Sequence, residues 1–209
     1  MCGRYYIEIE SDLVEIRKIL SDLNERFPER PALDRLKSGE IFPTDIVPVI
    51  RLWETQEGIK LLPDLMQWGF DDPYPLINAR AETADSKPTF RKSFQEQRVL
   101  VPAMAFFEWQ KPVEAGQKKT KLKLSQPQEA VFYMAGLYRS LAPEKNPLQL
   151  TGQFVILTAA ANESIRPIHD RMPLIVPRPL LRPYLLDPDR ARDLLHSPVT
   201  QPFLAEVAN

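Results

Sequence analysis

The chain is poor in the residues from which many active sites are built. Cysteine occurs once and histidine twice in 209 residues. A single cysteine excludes an intramolecular disulfide and any multi-cysteine zinc centre, and two histidines give Cys/His metal binding little support. Glycine is scarce as well, seven against 21 prolines, and no Gly-rich phosphate loop, HExxH or GxSxG motif is found. No run approaches the ~20 apolar residues of a membrane span. The opening MCGRYYIEIESD lacks the apolar segment of a signal peptide. Neither sign of charge dominates, with a formal net charge of −1. Nucleic-acid binding would therefore need Lys and Arg gathered on one face. These absences lead to the expectation of a soluble, cytoplasmic protein with no metal and no membrane contact.

What is present suits a globular fold. The composition is 44% hydrophobic and 26% charged, and a chain of this length buries roughly 70% of its unfolded surface. The prolines are spread out, so they read as stiff turns and not as a linker. No repeat or low-complexity tract breaks the chain, and residues 1–209 are read as a single domain.

Local patterning gives more strands than helices. YYIEIE (5–10) alternates and predicts a strand. In residues 12–27, Leu13, Ile16, Leu20, Leu23 and Phe27 recur at helical spacing. Asp12 and Glu15 there have the spacing of a capping box. Residues 38–50 read as a loop running into a strand, and 52–62 as a hairpin turning near Gln56–Gly58. Residues 99–109, 131–138 and 154–160 read as buried strands. Near the end, Asp187 and Pro188 start a helix that buries Leu194 and Leu195 and finishes at His196, which is given no catalytic role. Lys118, Lys119, Lys121 and Lys123 read as a solvated hairpin edge or, alternatively, as a phosphate patch. With βαβ alternation missing, the class is α+β: mainly antiparallel sheets forming a barrel-like core with a few peripheral helices.

Four places could carry chemistry. Residues 66–94 have no clean period yet hold Trp68, Asn78, Arg80, Glu82, Lys87 and Arg91, as binding segments often do. Glu108 sits in an apolar run. It either marks a strand end pointing to water or is a buried acid/base of raised pKa. His169 lies among Arg166, Asp170 and Arg171, as a structural histidine or a functional one. Cys2 is either a small residue in a frayed terminus or half of a reactive pair. Once Met1 is trimmed, the same residue carries an α-amine (pKa ~7.7–8.0) and a thiol (~8.5). Such a 1,2-aminothiol condenses with an aldehyde, first to an imine and then to a thiazolidine.

MCGR, Trp68-Gly69, INARAET with KPTFR, VPAMAFFEW and HDRMP occur in that order. Together they resemble the SRAP family, the abasic-site processing proteins first labelled SOS-response-associated peptidases. The resemblance runs from Met1 to about Val176. It implies recognition of an abasic site in single-stranded DNA, with no cofactor, and a covalent thiazolidine link from Cys2 to the opened sugar that protects the lesion. It assigns Asn78 to orienting the terminus and sugar and Arg80 to a neighbouring phosphate. Glu108 would move protons and His169 would help open the deoxyribose. Arg4, Trp68, Lys87, Arg91, Thr158, Arg171, Met172 and Pro173 would line the DNA path. A monomer that joins the nucleoid when bound to DNA is expected. Departures from the family pattern are Met104-Ala105 before Phe106, Phe107 in place of a tyrosine, and FDDPYP after Gly69, whose Asp71 and Asp72 would repel phosphate if they faced the groove. The competing readings are a cysteine peptidase or amidase using Cys2, with self-removal of Met1 or strand cleavage as further activities, and a module that grips single strands without chemistry.

Overall fold

Strand alternation sets the architecture, and helices fill in around it. The computed structural model describes residues 2–72, 74–112, 118–142, 146–196 and 201–208. The strands are β1 (Tyr5–Ile7), β2 (Gly39–Ile41), β3 (Ile46–Thr55), β4 (Gly58–Trp68), β5 (Phe70–Asp72), β6 (Tyr74–Leu76) and β7 (Asn78–Arg80). They continue as β8 (Arg98–Ala103), β9 (Ala105–Gln110), β10 (Thr120–Ser125), β11 (Phe132–Ser140), β12 (Gly152–Ala160), β13 (Arg171–Pro173) and β14 (Leu204–Val207). The α-helices are α1 (Val14–Arg26), α2 (Ala81–Ala84), α3 (Pro88–Glu96), α4 (Leu181–Leu186) and α5 (Pro188–His196).

Two sheets carry the fold. One runs β14-β10-β9-β1-β2, and the other runs β11-β8-β3-β4-β12-β13. An added β11–β12 pairing closes β11, β8, β3, β4 and β12 into a ring, so the expected α+β class with a partly barrel-like core is what is found. Most pairings are antiparallel, but β12 lies parallel to both β4 and β7. Its core residues Phe154, Val155, Ile156 and Leu157 are all buried, as a strand covered on both faces requires. No helix among the described residues is long and apolar enough to cross a membrane.

One glycine decides where the polar segment lands. Gly69 has φ +113 and donates its N–H to Phe154 O at 2.7 Å. Side chains avoid that backbone region. There the chain leaves β12, folds out as the β5–β6 hairpin, and returns as β7 beside the same strand, pairing Asn78 with Ile156 and Arg80 with Thr158.

Several sequence expectations are corrected. The strand at 5–10 ends at Ile7. Residues 99–109 form two strands broken at Met104, β8 in the ring and β9 in the other sheet. The unpatterned stretch 66–94 contains α2 and α3, which are too short to display a helical period. Asp12 and Glu15 form no capping box: Leu13 takes the cap position without a side-chain bond. Asp12 pairs with Arg17, and Glu15 accepts from Tyr133 Oη at 2.5 Å and from Arg178. A guanidinium and a phenol outbid a backbone N–H for that carboxylate. The strand at the C-terminus, β14, pairs with β10, so β10 is not a sheet edge. Residues 113–117 of the expected lysine hairpin lie outside the described residues. In contrast, Asp187 does accept from Asp189 N at 2.8 Å at the start of α5, and Leu194 and Leu195 are buried.

Arg98 ties helices to the ring. Its buried guanidinium donates to Phe94 O, Gln95 O, Tyr184 O and Leu185 O at 2.5–2.9 Å. These carbonyls lie in the last turns of α3 and α4, where no intrahelical donor remains. Arg98→Ala should lower unfolding stability by about 3 kcal/mol. Arg98→Lys should recover little of it, since an ammonium lacks the planar fork. Denaturant titration of both variants checks this, and near-wild-type stability of Arg98→Ala would contradict it.

Candidate functional site: a pinned N-terminal cysteine

The chain terminus is fixed from two directions. β1 is held between β2 and β9, with Tyr5 opposite Ile41 on one side and Phe106 on the other. Asn78 Nδ2 then donates to the backbone carbonyl of Cys2 at 2.8 Å. Cys2 is fully buried, and its thiol donates to Arg4 O at 3.4 Å. The frayed-terminus reading of Cys2 is therefore set aside. Asn78 Oδ1 is buried with no hydrogen-bond partner among the described residues. It is an open acceptor beside the cysteine backbone.

Glu108 points inward, being 3% exposed. β9 alternates so that Phe106 and Glu108 face the interior together, and Phe106 packs edge-on against Phe203. Burial pushes the Glu108 carboxyl up, the charge of His169 opposes this, and that of Asp170 adds to it. Burial also pushes the Cys2 thiol well above its ordinary range, with the Glu108 charge as the next cause. Each electrostatic pairing, Cys2 with Glu108 and Glu108 with His169, puts these groups in one neighbourhood.

His169 is held by its neighbours in the chain. Its Nδ1 accepts the Arg171 N–H at 3.0 Å and lies 3.0 Å from Asp170 Oδ1. Arg171 is clamped in turn. Its guanidinium meets both oxygens of Glu82 at 2.5 and 2.9 Å and also bonds Thr158 O. Glu82 belongs to the INARAET segment, but its partner 89 positions later could not be read from the sequence.

The residues expected along the DNA path separate into groups. Arg80, Lys87 and Arg91 are exposed on β7, at the N-cap of α3 and on α3. Arg4 lies near the surface, 4.0 Å above the Phe42 ring and 3.8 Å from Glu40. Thr158 is fully buried, and Met172 and Pro173 are buried in β13. Trp68 is a correction. It is fully buried, donates Nε1–H to Ile77 O at 2.9 Å and packs edge-on against Tyr5. No face of the ring is left for a base, so Trp68 supports the strand that carries Cys2. Asp71 accepts from Gln153 Nε2 at 2.6 Å, near the start of β12 and away from the end that bears Thr158.

A raised carboxyl has a thermodynamic signature. The folded state favours protonated Glu108, so stability falls as pH rises from the ordinary Glu pKa, ~4.3, through the folded value. Glu108→Gln removes the charge. The variant should match wild type near pH 4 and unfold at a higher temperature at pH 7–8, the gap widening with pH. Thermal scans across that range test this, and a gap that is constant or reversed would contradict it.

Relatives and solved structures share this fold. The chain is 33% identical over 224 residues to the abasic site processing protein YoqW of Bacillus subtilis (strain 168), covering 99% of this chain and 89% of that protein. It is 31% identical over 213 residues to the abasic site processing protein YedK of Escherichia coli (strain K12), covering 100% and 85%. Crystal structures of a protein from Bacteroides thetaiotaomicron (TM-score 0.69, 20% identity, 100% and 92% covered) and of a phage-related protein from Bordetella bronchiseptica (TM-score 0.68, 22% identity, 100% and 94% covered) share the fold. Residues 1–208 match the family described as SOS response associated peptidase, and the chain belongs to that SRAP family.

Proposed function

We propose that this protein processes abasic sites in single-stranded DNA by covalent capture at Cys2 once Met1 has been removed. The observation that carries the reading is the 2.8 Å bond from Asn78 to the Cys2 carbonyl, which holds a terminal residue still beside two proton-handling groups. The abasic-site names of relatives at 31–33% identity support the substrate class.

The chemistry balances with the residues at hand. A closed deoxyribose must first open. His169 gives a proton to the ring oxygen and takes up the one that the anomeric hydroxyl releases, leaving a C1′ aldehyde. The freed α-amine of Cys2 adds to that carbon. Glu108, whose carboxyl burial pushes up, supplies the proton with which the hydroxyl leaves as water, giving an iminium whose nitrogen keeps its proton. The thiol then adds to the same carbon. Its proton returns to Glu108 while the iminium nitrogen takes back the C=N electron pair, closing a thiazolidine with a net loss of one water. Asn78 Oδ1, an open acceptor, is suited to receive an N–H of the attacking amine. The peptidase reading requires a thiolate near neutral pH. The raised thiol of buried Cys2 favours chemistry that begins at the amine.

Incubation of the Met1-free protein with an abasic oligonucleotide should give an adduct that survives denaturation. Cys2→Ala and acetylation of the α-amine should each abolish it. Failure of the trimmed protein to form any adduct would end this reading. Glu108→Gln should slow adduct formation by about 10²-fold or more, the usual contribution of a positioned acid–base, with strand affinity retained. Unchanged rates would remove Glu108 from the mechanism.

A further inference from the structure

Three cations near the site have no assigned task. A cavity of about 390 Å³ opens beside His169 and is lined by Trp109, Lys111, Lys119, Arg166 and Asp170. Several cations elsewhere in the molecule are taken. Arg30 and Arg51 meet Asp64, Lys121 meets Glu40, Arg171 meets Glu82 and Arg178 meets Glu15. Lys111, Lys119 and Arg166 are exposed and form no ion pair among the described residues. The one acid in the wall, Asp170, lies 3.0 Å from His169 Nδ1. A concave wall with an excess of unpaired positive charge concentrates anions.

Position adds the second observation. β12 is bordered by β7 on one side and β13 on the other, and Thr158 pairs with Arg80 across the first border and with Pro173 across the second. Arg80 therefore flanks the end of β12 on one side, followed in the chain by Lys87 and Arg91. His169 and the cavity lie off the other side, at the approach to β13. The lysine-rich stretch divides accordingly. Lys121 is bonded to Glu40 at 2.7 Å and Lys123 lies 4.2 Å over Tyr6, whereas Lys119 turns to the cavity.

We infer that Lys111, Lys119 and Arg166 form a second phosphodiester-binding arm, which holds the DNA strand on the side of the lesion opposite to Arg80. Half-buried Trp109 at its wall offers a ring edge or face to a base. The strand crosses the end of β12, with the abasic sugar at Cys2 and phosphates gripped on both sides. The inference rests on the abasic-strand reading above and adds to it a two-sided footprint.

The test uses strands carrying a stable abasic analogue without an aldehyde, so that only non-covalent binding is read. Three strands are compared: nucleotides on both sides of the analogue, on the 5′ side only, and on the 3′ side only. Affinities of wild type and of Lys111→Ala/Lys119→Ala/Arg166→Ala are measured over a salt series. For the two-sided strand the triple variant should lose about tenfold or more in affinity, and its log–log salt slope should shrink by about 2, from ~0.7 per phosphate contact on single strands. One of the one-sided strands should show no difference between the proteins. The charge-keeping Lys111→Arg/Lys119→Arg/Arg166→Lys should retain the wild-type slope, and thermal unfolding reports whether each variant is folded. Equal affinity and slope for the two-sided strand would overturn the inference, as would a loss shared equally by all three strands. Adduct formation with a reactive abasic strand is scored separately, so failure of covalent capture and failure of the second arm are distinct results.

Discussion

The structure depends on holding a chain terminus still. End residues are normally the freest part of a protein, and fixing one residue's backbone costs roughly 1–2 kcal/mol of conformational entropy. Here β1 is paired on both edges, and a side-chain amide from the other sheet closes on the Cys2 carbonyl. That single bond joins the two sheets at the site. It also needs β7 to be where it is, which in turn needs the left-handed turn at Gly69 and the return of the chain to β12. Much of the fold can be understood as support for a two-residue terminus.

The electrostatics around that terminus are not those of maximal stability. A carboxylate is buried, its pKa driven up by lost solvation, and it raises a buried thiol beside it. A site of this kind gives up stability to hold a carboxyl of raised proton affinity. His169 is held in place, because a backbone N–H from Arg171 meets its Nδ1. Arg171 is itself immobilised by Glu82 and Thr158. The polar residues form a chain of restraint from α2 through β13 to the histidine ring.

Aromatic and cationic residues divide their labour between core and surface in a way that composition conceals. Trp68 and Phe106 lie inside and brace the strands that carry Cys2 and Glu108. Arg98 is equally internal and serves helix ends. Lys111, Lys119 and Arg166 line one cavity beside His169, although the protein as a whole is close to neutral.

The sequence by itself determined the class of fold, the amphipathic face of α1, the 52–62 hairpin, the cap at Asp187 and the family, because each is written in local spacing or in contiguous motifs. Its single cysteine at position 2 already specified a potential aminothiol. It could not separate a frayed Cys2 from a pinned one, or a solvent-facing Glu108 from a buried one, since both depend on partners distant in the chain, 76 residues away for Cys2. It misjudged Trp68 because an indole that stacks on a base and one that fills a core look alike in one dimension. It joined β8 to β9 because a sheet change at Met104 leaves the hydrophobic run unbroken. Those choices were made by tertiary packing, where long-range burial and hydrogen bonding decide which face of each strand meets the terminus.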